Sequence, residues 1–272
     1  MMKNAKYFFS YILLIVFSFI SIFPFFWLIL ISLKSGAHIF DTTNFFSNIT
    51  FQNYINIIDN YKFLKSIMNS FIISILSVII VLPIGFLGGY YFSRSIKNNT
   101  NNNIFLILLS TKIAPPIVFA IPIYILYIEV GLIDTMFGMT FLYVFANLAF
   151  TVWIAKNLVD EFSDDIEEAS KIDGCNTLQS IFYIIMPSNL NGIFSICLIV
   201  FILSWNEFLF ASILTRNETS TFTVHLTSYF GSRRIDWSGL SIASVLGSLF
   251  PLLITIFFQK YLIKGLSFGK LN

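Results

Sequence analysis

Six long apolar runs separated by more polar stretches set the pattern of this chain: about 7–33, 67–92, 104–128, 137–155, 190–214 and 240–263. Each is close to or above the ~20 residues that carry an α-helix across a bilayer core. The runs are continuous rather than alternating, which favours helices over a barrel, because in lipid every backbone group must find a partner. The expected fold class is therefore all-α integral membrane, with six transmembrane helices. No polar stretch between them is large enough for a further domain, so residues 1–272 are expected to form a single transmembrane domain. Lys3 and Lys6 precede the first run, which is too long for the ~7–15-residue core of a signal peptide and has no small-residue cleavage site, so it is expected to stay as an uncleaved span.

Interruptions inside the runs add detail. Pro83, Gly85, Gly88 and Gly89 fall in the second, Pro115, Pro116 and Pro122 in the third, and Gly247 and Pro251 in the sixth. Proline removes a backbone donor and crowds the preceding turn, so kinks are expected. Gly85 and Gly89 form a Gly-x-x-x-Gly pair that lets a neighbouring helix come close.

Composition agrees with the membrane reading: 57% of residues are hydrophobic and 11% charged, against roughly 25% charged in soluble proteins. The net charge is only +2 and its cations are scattered, which argues against nucleic acid as a partner. Lys3, Lys6, Arg94, Lys97, Lys156, Lys171, Lys260, Lys264 and Lys270 collect on one side of the six spans; Lys34, Lys62, Lys65, Arg216, Arg233 and Arg234 lie on the other. The positive-inside rule then places both termini in the cytoplasm. Cys175 and Cys197 suggest neither a disulfide framework nor a metal site. His38 and His225 fall in or near different outer loops, with no acid, nucleophile or metal constellation for catalysis, so no catalytic or metal-binding residue is expected.

Half of the acids, seven of fourteen, sit within fourteen positions: Asp160, Glu161, Asp164, Asp165, Glu167, Glu168 and Asp173. They belong to a cytoplasmic loop of about 160–189. Ser163 or Asp164 is a good N-cap for a short helix, acids in its first turn suit the helix dipole, and Gly174 suits its left-handed end. Asn176 and Gln179 form a capping-box-like start for a second helix, which Pro187 is expected to close. Glu161, Asp164, Asp165 and Glu168 follow helical spacing, a like-charged face that is unfavourable unless a cationic surface lies opposite.

The stretch Glu168-Ala169-Ser170-Lys171-Ile172-Asp173-Gly174-Cys175, followed by Ile181-Phe182 and Met186-Pro187, resembles the Glu-Ala-Ala loop of ABC-importer permeases. Spacing and position after a fourth span match that family. Ser170, Cys175 and Met186 stand where it usually has Ala, Ala and Leu. Ala114-Pro115-Pro116, Ile121-Pro122-Ile123-Tyr124, Gly131-Leu132-Ile133-Asp134-Thr135, Ser204-Trp205-Asn206-Glu207-Phe208, Asp236-Trp237 and the ending Phe258-Gln259-Lys260-Tyr261 … Lys264-Gly265-Leu266 … Gly269 are similar to its sugar-importer (maltose/lactose-type) branch.

The resemblance implies a type I ABC importer permease fold and a membrane subunit that is not an enzyme, in the cell membrane, forming half of a pathway for a sugar or oligosaccharide. Its implied partners are cytoplasmic ATPase subunits, a second and different permease chain, an extracytoplasmic substrate-binding protein and the bilayer. ATP and Mg would be bound by the ATPase, with no cofactor on this chain, which also lacks a Gly-x-x-x-x-Gly-Lys-Ser/Thr loop. Glu168, Ala169, Ser170, Asp173 and Gly174 are the implied ATPase-coupling residues. The same machine for another solute (glycerol phosphate or a polyamine) and a self-sufficient secondary transporter or channel are the alternatives.

Lys112 and Glu207 are ionisable groups expected inside spans, where charge is costly and points to a pathway or a partner. Lys112 suits either snorkelling to the surface or a functional role. Trp205, Asn206 and Glu207 together are a candidate substrate-pathway set, an aromatic face beside hydrogen-bonding groups. The competing and preferred account of Glu207 is an interhelical hydrogen bond, since in a paired pore only one subunit need touch the solute.

Overall fold

The computed structural model describes residues 2–34, 39, 49–95, 99–231 and 234–265, without the side chains of 2–6, 8, 164 and 262–265. His38, Lys97, Arg233 and the ending from Leu266 onward lie outside these residues. The helices are α1 (Met2–Ser32), α2 (Gln52–Ile58), α3 (Tyr61–Ser95), α4 (Asn99–Ser110), α5 (Ile117–Glu129), α6 (Met136–Asp160) and α7 (Asp164–Ile172). They continue as α8 (Thr177–Ser188), then α9 (Leu190–Trp205), α10 (Leu209–Leu214), α11 (Phe222–His225) and α12 (Trp237–Gly265).

Among the described residues, α1, α3, α6 and α12 are each long and apolar enough to cross a membrane, and α8 with α9 forms a further apolar pair bent by 86°. The third and fifth apolar runs are not single helices. The third becomes α4 and α5, parted at 111–116, where Pro115 and Pro116 each lack an N–H to continue the ladder. The fifth stops at Trp205 and resumes at Leu209. Hydropathy reads both as one run because each break is short and flanked by long apolar stretches.

The chain divides into two compact units, Met1–Leu64 with His225–Leu249, and Lys65–Val224 with Phe250–Asn272. In the first, the Asn53 amide donates to the Lys34 carbonyl at 3.2 Å and to the Ser238 hydroxyl at 3.0 Å. The Phe63 and His225 rings meet at 5.8 Å. The most apolar stretch of α1 has no buried residue, which suits a helix whose surroundings are lipid or another membrane protein.

In the second unit α6 is the central post. Val144, Ile154, Ala155, Leu158 and Val159 of α6 meet Val81 and Phe86 of α3, Ile181 and Ile185 of α8, and Ile193, Ile196 and Val200 of α9. Nearer the other end, Met139, Leu142 and Tyr143 pack with Ile73, Tyr127, Phe210 and Leu214. The Gly-x-x-x-Gly pair makes this approach possible: a Cβ on Gly89 would sit 2.6 Å from the Ala155 Cβ, and one on Gly85 would strike the Thr151 side chain. Asn147 adds an interhelical hydrogen bond at 3.2 Å to the Ser204 hydroxyl.

Candidate functional site

Short-range capping builds the hairpin of α7 and α8. Ser163 has extended backbone and its hydroxyl accepts from the Asp165 N–H, starting α7. At the other end the Gly174 N–H donates to the Lys171 carbonyl (3.1 Å) and the Cys175 N–H to the Ser170 carbonyl (3.0 Å). This Schellman arrangement needs a left-handed residue, and Gly174 supplies it at φ 88°. Asn176 and Gln179 then close a reciprocal capping box at 2.9 and 2.8 Å.

The hairpin is tied internally and to the bundle. The Ser170 hydroxyl donates to the Glu167 carbonyl (2.7 Å) and lies 2.6 Å from the Ser180 hydroxyl of α8. Ile181 and Ile185 of α8 are buried in the core between α3, α6 and α9. Residues Ser180–Ile185 form a π-helical turn, and α8 runs through Pro187 to Ser188, so Pro187 does not close the helix. The chain bends at Asn189 instead, where the side-chain amide donates to the Ile185 carbonyl at 2.9 Å.

The clustered acids divide into two groups. Glu167 is turned inward and 5% exposed. Its carboxylate accepts from the Tyr90 hydroxyl (2.5 Å), Arg94 Nε (2.8 Å) and Lys171 Nζ (2.8 Å). Burial opposes its ionisation, but the bonds from Lys171, Tyr90 and Arg94 outweigh burial and hold the carboxyl down to about 2. Asp160 accepts from the Ser93 hydroxyl and from Lys156. Glu161, Glu168 and Asp173 are exposed and make no side-chain hydrogen bond or ion pair within the described residues. One sequence expectation changes: Glu161 caps the C-terminus of α6, and extended Ser163 separates it from α7, so it does not continue the helical face of Asp165 and Glu168.

Of the five implied coupling residues, Glu168, Ala169, Asp173 and Gly174 are exposed, whereas Ser170 is buried and reaches α8. Sequence reasoning missed Tyr90 and Arg94. Lys171, four residues after Glu167, was the one local signal of the cluster they complete.

The set Trp205, Asn206 and Glu207 does not share a surface. Trp205 is 2% exposed, ringed by Phe201, Phe222 and Phe250. The Glu207 carboxylate accepts from the Tyr143 hydroxyl (3.0 Å) and from the N–H groups of Phe210 (2.8 Å) and Ala211 (3.0 Å), so it caps α10 and joins it to α6. Asn206 alone presents an exposed side chain. Lys112 lies in the break between α4 and α5 rather than on a helix, exposed beside a cavity of about 230 Å³ lined by Phe119, Leu142, Phe145 and Phe210.

Asp134, at φ 55°, fastens the turn before α6 to the chain after α10. Its carboxylate accepts from the N–H groups of Arg216, Glu218 and Thr219 and from the Thr219 hydroxyl, at 2.8–3.1 Å. Burial raises its pKa, but these four bonds prevail and leave it below the usual carboxylate range.

Residues 82–268 match the family model described as "Binding-protein-dependent transport system inner membrane component". A probable ABC transporter permease protein of Pyrococcus horikoshii is 30% identical over 80% of this chain and 80% of its own length. The trehalose/maltose transport system permease protein MalG of Thermococcus litoralis is 28% identical over 95% of this chain and 94% of its own. Among solved structures, a chain from a bacterial ABC transporter involved in the import of the acidic polysaccharide alginate superposes with a TM-score of 0.81, at 21% identity, covering 95% of this chain and 96% of that one.

Proposed function

Because the chain belongs to the family of binding-protein-dependent transport system inner membrane components, we propose that it forms half of an import pathway for a sugar or oligosaccharide and receives its driving force through the α7–α8 hairpin. A separate cytoplasmic ATPase binds ATP and Mg and docks on the exposed side of α7, with Glu168 and Asp173 meeting cationic groups and Ala169 and Gly174 allowing close approach. Ser170 acts inside the hairpin, fixing α7 to α8. A different second permease chain completes the pathway and an extracytoplasmic binding protein delivers the solute. The hairpin and both termini face the cytoplasm of the cell membrane.

One observation carries this reading. A short helix capped at both ends, rooted in the core through Ile181 and Ile185 of its partner helix, presents Glu168 and Asp173 to the outside without a counter-charge among the described residues. Such a face is open to a cationic surface on a partner, and its caps keep it stiff. The sugar class is supported by the trehalose/maltose relative over nearly the whole chain. On the pathway, Asn206 is the polar group that faces out, while Glu207 holds the break that places it.

The test is a cross-link. With Cys175 and Cys197 replaced by Ser, Ala169→Cys should form a disulfide under oxidation with cysteines introduced along the docking cleft of the copurifying ATPase, or join its lysines through a short thiol–amine reagent. Consistent absence of that product in an intact complex would overturn the docking assignment.

A further inference from the structure

We infer that Glu167 is a positioning residue that bolts the docking helix to the end of α3, so that a displacement of α7 moves α3 instead of bending the hairpin. The inference rests on the coupling function proposed for α7 and adds the route by which motion leaves it.

Three observations carry it. First, α7 has no apolar anchor: Ile166 is 46% and Ile172 86% exposed, and the buried side chains among those described in α7 are Glu167 and Ser170. Ser170 reaches α8, so among the described side chains of α7 Glu167 is the one that reaches α3. Second, that attachment is built for one geometry. Tyr90 and Arg94 are one turn apart on α3 and meet both oxygens of one carboxylate, while Lys171 braces it from α7 itself. Third, the receiving end of α3 is stiffly coupled onward. Ser93 donates to Asp160 at the end of α6, and Gly89 lies against Ala155 and Lys156 of the same helix.

The chain on either side of α7 gives such a bolt a role. Extended Ser163 and left-handed Gly174 both interrupt helical continuity, so α7 is not a rigid extension of α6 or α8, and Glu167 adds a direct tie to α3. Successive helical residues point ~100° apart, which lets Glu168 face an external partner while Glu167 holds the bundle.

The experiment uses the complete complex in proteoliposomes and reads solute moved per ATP hydrolysed, together with the Ala169→Cys cross-link. Glu167→Gln and Arg94→Ala should retain the cross-link and hydrolysis yet lower solute per ATP at least fivefold. Arg94→Lys, which keeps the cation, should recover most of the ratio. Should Glu167→Gln fail to assemble, Tyr90→Phe removes a single hydrogen bond, and a twofold or greater fall is expected. Variants that cross-link normally and keep the wild-type ratio overturn the bolt while leaving docking intact. Loss of the cross-link in the otherwise wild-type hairpin overturns docking first, and the bolt with it.

Discussion

Glu167 and Glu168 are neighbours that face opposite environments. Lys171 is the one local sign that separates them, because the other groups that claim Glu167 lie 77 and 73 residues earlier, at Tyr90 and Arg94. The division has a pH signature. The folded carboxyl of Glu167 lies near 2, below its ordinary value of 4.5. Its contribution is therefore fully present above about pH 4.5 and fades as pH falls toward 2, with an upper size of about 3 kcal/mol. In detergent, the wild-type protein should unfold at higher temperature than Glu167→Gln at pH 7, and the gap should close as pH falls through that window. A gap that stays constant to pH 2.5 would show that the charge does not hold the cluster. The hairpin caps, by contrast, were readable because they are set within a few residues: Ser163, Gly174, Asn176 and Gln179 each act on neighbours.

At the scale of elements, apolar runs located the helices but not their breaks. A bilayer-length stretch such as 104–128 looks continuous by hydropathy, whereas the ladder stops at Ser110 and restarts at Ile117. Likewise α9 ends at Trp205 because Glu207 supplies side-chain acceptors that start α10 afresh. Glu207 thus serves capping, and Trp205 packs among Phe201, Phe222 and Phe250. The close contact of α3 with α6 was legible in Gly85 and Gly89. Gly89→Leu would drive a side chain into Ala155 and the Lys156 backbone, and the helices must part. Overpacking of this kind costs ~1–3 kcal/mol or more, so the variant should show a lower unfolding temperature and a weaker cross-link from hairpin to ATPase. An unchanged unfolding temperature would mean that the glycine contact is not tight.

For the molecule as a whole, family membership rests on the family match over residues 82–268, and the all-helical fold follows from hydropathy and is matched by the alginate-importer chain. What hydropathy could not supply is which charges are spent internally and which remain for partners; that needed the packed bundle. The measurement that bears most directly on the proposed energy coupling is uptake by proteoliposomes holding this permease, its partner permease, the ATPase and the binding protein, with the ion gradient dissipated. Uptake is expected to require internal ATP and the ATPase and to be indifferent to ionophores. Uptake that persists without ATP and collapses when the ion gradient is removed would contradict it.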